Sequence, residues 1–83
     1  MRHPTLLTLA LASRRRTLLS AQQTEALEWS ARGRSTTETA AAMGIPHPDV
    51  KSLLAGAARR LQAAGPAQAV AKALALELLF RRR

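Results

Sequence analysis

Hydrophobic side chains recur along this chain at the three- and four-residue spacing of a helix. The clearest series comprises Val50, Leu54, Ala57 and Leu61, with Leu53 and Ala58 at its edges. This spacing places apolar side chains along one helix face, where they can pack inward. Ala and Leu supply most of the hydrophobic residues, and β-branched residues are few, which also favours helices over strands. The pattern therefore predicts an all-α fold.

Residues typical of helix ends divide the chain into separate helices. Two serines are each followed, three residues later, by a residue that completes a capping box: Ser20 with Gln23, and Ser35 with Glu38. In this motif the two side chains bond backbone N–H groups of the first helical turn. Glycine commonly follows a helix end, and Gly33 and Gly44 take that place here. We therefore predict one helix from Ser20 to about Ala31 and a second over residues 36–43.

Prolines mark the starts of two further helices. The residue before a proline is disfavoured in helical conformation, so we predict His47 as the N-cap of the third helix and Pro48 as its first residue. Asp49 would then lie near the positive end of the helix dipole. Residues 62–65 end this helix, and Gly65-Pro66 open a last one that is predicted to continue to about residue 79.

The last predicted helix is apolar on two sides. Val70, Leu74 and Leu78 form one stripe, while Leu76 and Phe80 lie roughly opposite. The second side needs a partner, which is either an additional N-terminal helix, predicted over residues 5–18, or another subunit. We assign a dimer or partner interface to Val70, Ala73, Leu76 and Phe80.

Length and charge distribution limit what the chain can be. Its 83 residues suffice for one small domain, which we place at residues 19–80, between a basic N-terminal extension (1–18) and a basic tail (81–83). The formal net charge is +8, yet residues 19–79 hold six basic and five acidic side chains, so the excess lies at the two ends. Terminal arginines either attract nucleic-acid phosphates or keep a small apolar protein soluble.

Several classes of chemistry find no support in the sequence. Cysteine is absent, which excludes disulfides and thiolate metal sites. His3 and His47 lack neighbours at metal-ligand spacing, and no nucleophile, base and orienting residue form a set. The apolar run near the N-terminus is too short to span a membrane. We therefore expect a cytoplasmic, nucleoid-associated protein that is not an enzyme and uses no cofactor or metal.

A short helix, a turn with Gly44 and a longer helix form a helix-turn-helix pattern. Over about sixty residues without a gap, the chain resembles the DNA-binding domain of LuxR/GerE-type bacterial regulators. The stretches that carry the resemblance are Leu19-Ser20, Glu25-Ala26-Leu27-Glu28, Ala31-Arg32-Gly33, Ser35-Thr36-Thr37-Glu38-Thr39-Ala40, Met43-Gly44-Ile45, Val50-Lys51-Ser52, Arg60-Leu61, Gln68-Ala69-Val70 and Ala73-Leu74.

The resemblance implies a four-helix domain, here with an additional N-terminal helix, whose third helix reads the major groove of duplex DNA. It further implies a bacterial transcription regulator that dimerises partly through its last helix. Only about eighteen residues precede the domain, so we expect a stand-alone form without a small-molecule-binding domain. The DNA-binding residues that it implies are Lys51 and Ser52 at bases, Ala55 beside them, Arg59 and Arg60 at phosphates, and Ser35, Thr36 and Thr37 at the DNA backbone.

Several positions depart from the family pattern and support a second hypothesis. Pro46 replaces a Ser or Thr cap, Asp49 adds negative charge near the DNA, and Leu53 and Ala55 stand where polar readers are frequent. The outward stripe of the third helix, comprising Ser52, Ala55, Gly56 and Arg59 with Lys51 at its edge, is therefore small and smooth. A surface of this kind can also receive another helix. The alternative is a protein-interaction module, an anti-activator or co-regulator, that binds another transcription regulator instead of DNA.

Overall fold

The computed structural model describes residues 18–80 of the chain. Four helices follow one another in this range: α1 (Ala21–Ala31), α2 (Thr36–Met43), α3 (His47–Arg60) and α4 (Pro66–Ala75). Residues 18–80 contain no strand, which confirms the predicted all-α fold. The predicted N-terminal helix (residues 5–18), except for its last residue, and the basic tail (81–83) lie outside the described part of the chain.

Both predicted capping boxes are present. The Ser20 hydroxyl accepts the Gln23 N–H at 3.0 Å, and the Gln23 carbonyl oxygen accepts the Ser20 N–H at 2.9 Å. Ser35 and Glu38 repeat the arrangement at the start of α2, with the same two distances. Each box satisfies an N–H group that lacks a partner in the first helical turn. The starts of α1 and α2 are therefore fixed by side chains close in sequence.

The start of α3 differs from the prediction by one residue. The helix begins at His47, and Pro46 is the N-cap, in an extended conformation (φ −64°, ψ 149°) with no side-chain capping bond. The Pro46 carbonyl instead accepts the N–H groups of Asp49 and Val50, at 3.0 and 3.3 Å. His47 is helical before Pro48 because a proline in the first turn removes an N–H that has no helical acceptor there.

The predicted extent of α4 is wrong at its C-terminal end. The helix ends at Ala75, and Glu77 adopts a left-handed conformation (φ 59°) that turns the chain back. The Leu78 N–H then donates to the Ala73 carbonyl at 2.9 Å. Because Leu78 and Leu79 are both buried by this reversal, the core gains two leucines that a straight helix would leave outside. Residues 76–80 are called the C-terminal strap below.

The core is built mainly from alanine and leucine, and the small alanines let the helices approach closely. Leu27 and Val50 are its largest fully buried apolar side chains, and α1 packs against α2, α3 and α4. Lys72 of α4 joins the end of α3, where its ammonium group donates to the Gln62 carbonyl at 2.7 Å. This bond satisfies a carbonyl just past the end of α3. No helix within residues 18–80 combines the length and the apolar character needed to cross a bilayer.

Candidate nucleic-acid interface

Helices α2 and α3 are joined by a three-residue turn. Gly44 adopts the left-handed conformation (φ 68°), and the Ile45 N–H donates to the Ala40 carbonyl at 3.1 Å, which closes the end of α2. Pro46 then leads directly into α3. Since α1 and α2 both pack against α3, the longer helix is supported along one side and open on the other. This is a helix-turn-helix arrangement.

The two faces of α3 are those that the sequence predicts. The inward face is buried and comprises Val50, Leu54, Ala57, Ala58 and Leu61. The outward face is exposed and comprises Lys51, Ser52, Ala55 and Arg59. These four side chains recur at i, i+3 and i+4 positions, so they form one continuous stripe along the helix. The stripe offers one ammonium group, one hydroxyl, one methyl group and one guanidinium group to a partner.

Gly56 does not belong to the open part of this stripe, which corrects the sequence-based interpretation. It is half-buried, and a Cβ built on it would lie 2.8 Å from the Nε2 atom of Gln23 and 3.9 Å from an Arg59 guanidinium nitrogen. The close approach that its small size permits is therefore made by Gln23 of α1. A partner helix has no free groove at this position.

Arg59 and Arg60 differ in their surroundings although both are exposed. Arg59 lies on the outward stripe, four residues beyond Ala55. The Arg60 guanidinium group donates to the carbonyl of Leu18 at 3.2 Å, which directs it toward the chain that precedes α1. Successive residues of a helix are separated by about 100° around its axis, so Arg60 lies off the stripe.

The start of α2 presents hydroxyl groups and one carboxylate. Ser35 and Thr37 are exposed and Thr36 is half-buried. The Ser35 oxygen accepts the Glu38 N–H, which leaves its hydroxyl hydrogen to donate. The N–H groups of Thr36 and Thr37 belong to the first turn, where a helix offers them no acceptor. Glu38, which completes the capping box, places a negative charge beside these donors.

A stack of two rings and a guanidinium group joins α1 to the C-terminal strap. The Arg32 guanidinium carbon lies 5.2 Å from the ring centre of Trp29 and 4.9 Å from that of Phe80. Trp29 is half-buried, and its indole N–H donates to Glu25 at 3.2 Å. The contact of Glu25 with Trp29 could have been predicted, because side chains four residues apart lie on the same face of a helix. No local sequence pattern indicates the contact of Arg32 with Phe80, because 48 positions separate the two residues.

The residues predicted to form a partner interface are dispersed. Leu76 and Phe80 lie on the C-terminal strap and are 44% and 37% exposed. Val70 is half-buried, whereas Ala73 is fully buried in the monomer core, which corrects its place on a partner surface. Leu74, which is 47% exposed, is the large apolar side chain that α4 itself presents.

Residues 18–80 bring together no group of three or more His, Asp or Glu side chains suited to a metal ion.

Comparison with known proteins finds a similar transcriptional regulator. The chain is 42% identical over 65 residues to the HTH-type quorum sensing-dependent transcriptional regulator RpaR of Rhodopseudomonas palustris. The match covers 78% of this chain and 27% of that regulator, so the chain spans about a quarter of the length of its relative. No protein-family model matches the chain, and no solved structure is a significant match. Over most of its length, the chain is thus similar to part of a helix-turn-helix transcriptional regulator.

Proposed function

We propose that this chain is a DNA-binding transcription regulator that inserts α3 into the major groove of duplex DNA. The observation that carries the proposal is the exposed stripe of Lys51, Ser52, Ala55 and Arg59 on a helix whose opposite face is buried. A helix supported in this way can enter a groove while α1 and α2 hold its orientation. The similarity to a transcriptional regulator supports the same function.

Each group on the stripe has a suitable counterpart on DNA. The Lys51 ammonium group can donate to guanine O6 and N7, and the Ser52 hydroxyl can donate or accept at several base edges. The Ala55 methyl group suits the methyl group of thymine. Arg59 and Arg60 suit phosphate, as do Ser35, Thr36 and Thr37 at the start of α2.

Because the excess positive charge lies at the two ends of the chain, we expect the ends to contribute most of the electrostatic affinity for DNA. Since residues 19–79 carry a net charge of +1, the terminal arginines supply most of the attraction to phosphate. Binding of phosphates by arginine and lysine releases counterions, so affinity falls steeply as salt rises. We expect the protein to act in the cytoplasm, at the nucleoid.

We further propose that two copies bind together. Leu74 and Leu76 are both more than 40% exposed, and such side chains lose contact with water when a second copy covers them. A symmetric pair would place two α3 helices about one turn of DNA, roughly 34–36 Å, apart. The target would then be a two-fold symmetric sequence.

A titration of labelled genomic fragments with the full chain tests the proposed function. At low salt we expect binding, and Lys51→Ala should lower affinity for the preferred fragment by about 5- to 150-fold, the range of one good base contact. Gln68→Glu is a matched control because it lowers the net charge equally, and its side-chain oxygen still accepts the Ala64 N–H, as Gln68 does at 2.6 Å. Absence of binding, or equal losses in both variants, would contradict base recognition by α3.

The second candidate function is a protein-interaction module that binds another transcription regulator. It is favoured by the exposed Leu74 and Leu76, by the exposed Asp49 in the first turn of α3 and by the near-neutral charge of residues 19–79. Capture of a regulator from the native cell by the wild-type chain, lost in Leu74→Ser, together with no binding to duplex DNA, would favour it.

A further inference from the structure

Lys72 of α4 bonds the chain just past the end of α3. Its ammonium nitrogen lies 2.7 Å from the Gln62 carbonyl oxygen and 3.4 Å from that of Leu61, and the residue is half-buried. The shorter distance is that of a strong hydrogen bond and the longer one that of a weak bond. Ten positions separate Lys72 from Gln62. The contact therefore joins two helices and is not a cap made within one of them.

The two carbonyls lie where α3 leaves its own hydrogen-bonding pattern. The last turn of α3 closes through the backbone, because the N–H groups of residues 61–63 donate to carbonyls of residues 57–59. Gln62 then adopts a left-handed conformation (φ 54°), and its carbonyl is bonded by Lys72. A cation at this place also favours the negative end of the helix dipole. Lys72 thus supplies hydrogen bonds and positive charge at the C-terminal end of α3.

The other end of α3 has no comparable contact. Its N-cap is Pro46, and no side chain caps the first turn, whereas side chains cap α1 and α2. The inward face of α3 is apolar, and apolar burial is non-directional. The side-chain hydrogen bonds that join α3 to other elements within residues 18–80 lie at its C-terminal end, where Arg60 and Lys72 make them. The orientation of α3 is therefore fixed mainly from that end.

Arg59 lies in the last turn of α3 and depends on how this end is held. It is exposed on the outward stripe, and its guanidinium group forms no hydrogen bond or ion pair with residues 18–80. An arginine near the end of a helix can bond the last carbonyls itself. Because Lys72 already bonds the chain there, Arg59 is left available on the stripe.

We propose that Lys72 is a positioning residue for DNA recognition, which fixes the C-terminal end of α3, and with it Arg59, relative to the rest of the domain. The inference rests on the proposed function, because it concerns the orientation of the helix that enters the groove. Lys72 itself touches no DNA. A change in the orientation of α3 weakens its directional bonds to base edges, whereas the general attraction of the chain to phosphates changes little.

A comparison of two duplexes tests this role. One is a duplex that the wild-type chain selects from a random-sequence pool, and the other is an unrelated duplex of equal length. Lys72→Met removes the ammonium group and keeps a long, unbranched side chain. We expect affinity for the selected duplex to fall by at least about fivefold, the lower end of the range for one good base contact. Affinity for the unrelated duplex should fall by less than about twofold.

Two further variants separate orientation from charge. Lys72→Arg should restore the ratio of the two affinities to within about threefold of the wild-type ratio, because its guanidinium group can donate to the same carbonyls. Ala67→Glu is the matched control, since it lowers the net charge by one, as Lys72→Met does, from an exposed position on α4. It lies about 140° around the helix axis from Lys72. Ala67→Glu should lower affinity for both duplexes equally.

Lys72→Met also removes a bond between two helices, so folding has to be separated from orientation. Urea unfolding followed by circular dichroism gives the folded fraction of each variant, and affinities are expressed per folded molecule. Sucrose strengthens the burial of apolar surface and keeps a weakened variant folded. If Lys72→Met is partly unfolded, sucrose is added to every titration.

The outcomes separate the two proposals. Equal losses for both duplexes in Lys72→Met, with a slope of log affinity against log salt reduced by about 0.9, would mean that Lys72 contacts phosphate directly and would overturn this inference. A wild-type ratio of affinities in folded Lys72→Met would also overturn it, since Lys72 would then contribute to stability alone. In both cases the selected duplex is still bound, so the proposed function is retained. If the wild-type chain selects no duplex, the proposed function fails and this inference fails with it.

Discussion

The carboxamide of Gln23 lies directly over the backbone of Gly56. Its oxygen accepts the Ser20 N–H at 2.9 Å, and its nitrogen lies 2.8 Å from the position that a Cβ on Gly56 would occupy. One side chain thus caps α1 and also occupies the space beside α3. A glycine within a helix lowers stability by about 1 kcal/mol relative to alanine. At position 56, the missing side chain leaves the space that the Gln23 carboxamide occupies between α1 and α3.

A double-mutant cycle should reveal the coupling between Gln23 and Gly56. Gly56→Ala gains about 1 kcal/mol of helix propensity, but its methyl group displaces the Gln23 amide and weakens a capping bond worth about 0.5–1.5 kcal/mol. We expect the free energy of unfolding to change by less than about 0.5 kcal/mol. In a Gln23→Ala background the same substitution should stabilise the fold by about 1 kcal/mol.

Urea unfolding followed by circular dichroism measures both values. An equal gain in the two backgrounds would mean that Gln23 moves aside at no cost, which would refute the coupling.

Substitutions at two residues with left-handed backbone conformations, Gly44 and Gln62, should change the stability of the fold in opposite directions. Gly44 has a φ of 68° and an open space where a Cβ would lie, so Gly44→Ala should cost about 1 kcal/mol through the backbone alone. Gln62 has a φ of 54° just past the end of α3, where glycine is preferred. Gln62→Gly should therefore stabilise the fold by up to about 1 kcal/mol. Thermal unfolding shows whether each substitution raises or lowers the melting temperature. Destabilisation by Gln62→Gly would contradict the left-handed conformation of Gln62.

The helices could be predicted from the sequence because their signals are local. Each capping box spans four residues, and the inward face of α3 follows from spacing alone. The end of α4 could not be predicted in this way. Glu77 is not a residue that marks a left-handed turn, and the reversal depends on burial of Leu78 and Leu79 in a core that only the folded chain provides.

The candidate site could likewise be predicted where it follows helical periodicity. Lys51, Ser52, Ala55 and Arg59 are exposed, as the spacing indicates. The prediction that Gly56 lies on the open stripe was wrong because Gln23, which lies beside it, is 33 positions away in another helix. The contact of Phe80 with Arg32 is of the same kind, since no local pattern marks a pair so distant in sequence.

The cap of α2 should contribute measurably to stability. Ser35→Ala removes the oxygen that accepts the Glu38 N–H, and the loss of such a cap costs about 0.5–2 kcal/mol. Thr37→Ala, at an exposed position two residues into α2, is the control and should change stability by no more than about 0.5 kcal/mol. Chemical unfolding compares the two, and equal effects would argue against the capping box as the determinant of this helix start.

The exposed leucines should control self-association. Leu74→Ser and Leu76→Ser each remove an apolar side chain that is more than 40% exposed, so neither should disturb the core. If two copies meet at this surface, the double variant should weaken the dimer by at least tenfold. Full burial of a leucine contributes about 1.5–3 kcal/mol, each of these leucines is nearly half exposed in the monomer, and both copies lose both side chains. Sedimentation equilibrium gives the dissociation constant, and an unchanged value would place the dimer contact elsewhere.

A titration of the ¹⁵N-labelled chain with its selected duplex, followed by amide chemical shifts, tests the central claim most directly. If α3 enters the major groove, the largest shifts should fall on Lys51, Ser52, Ala55 and Arg59, with a second group at residues 35–37. Shifts confined to α4 and the C-terminal strap, or no shifts at all, would contradict DNA recognition by α3.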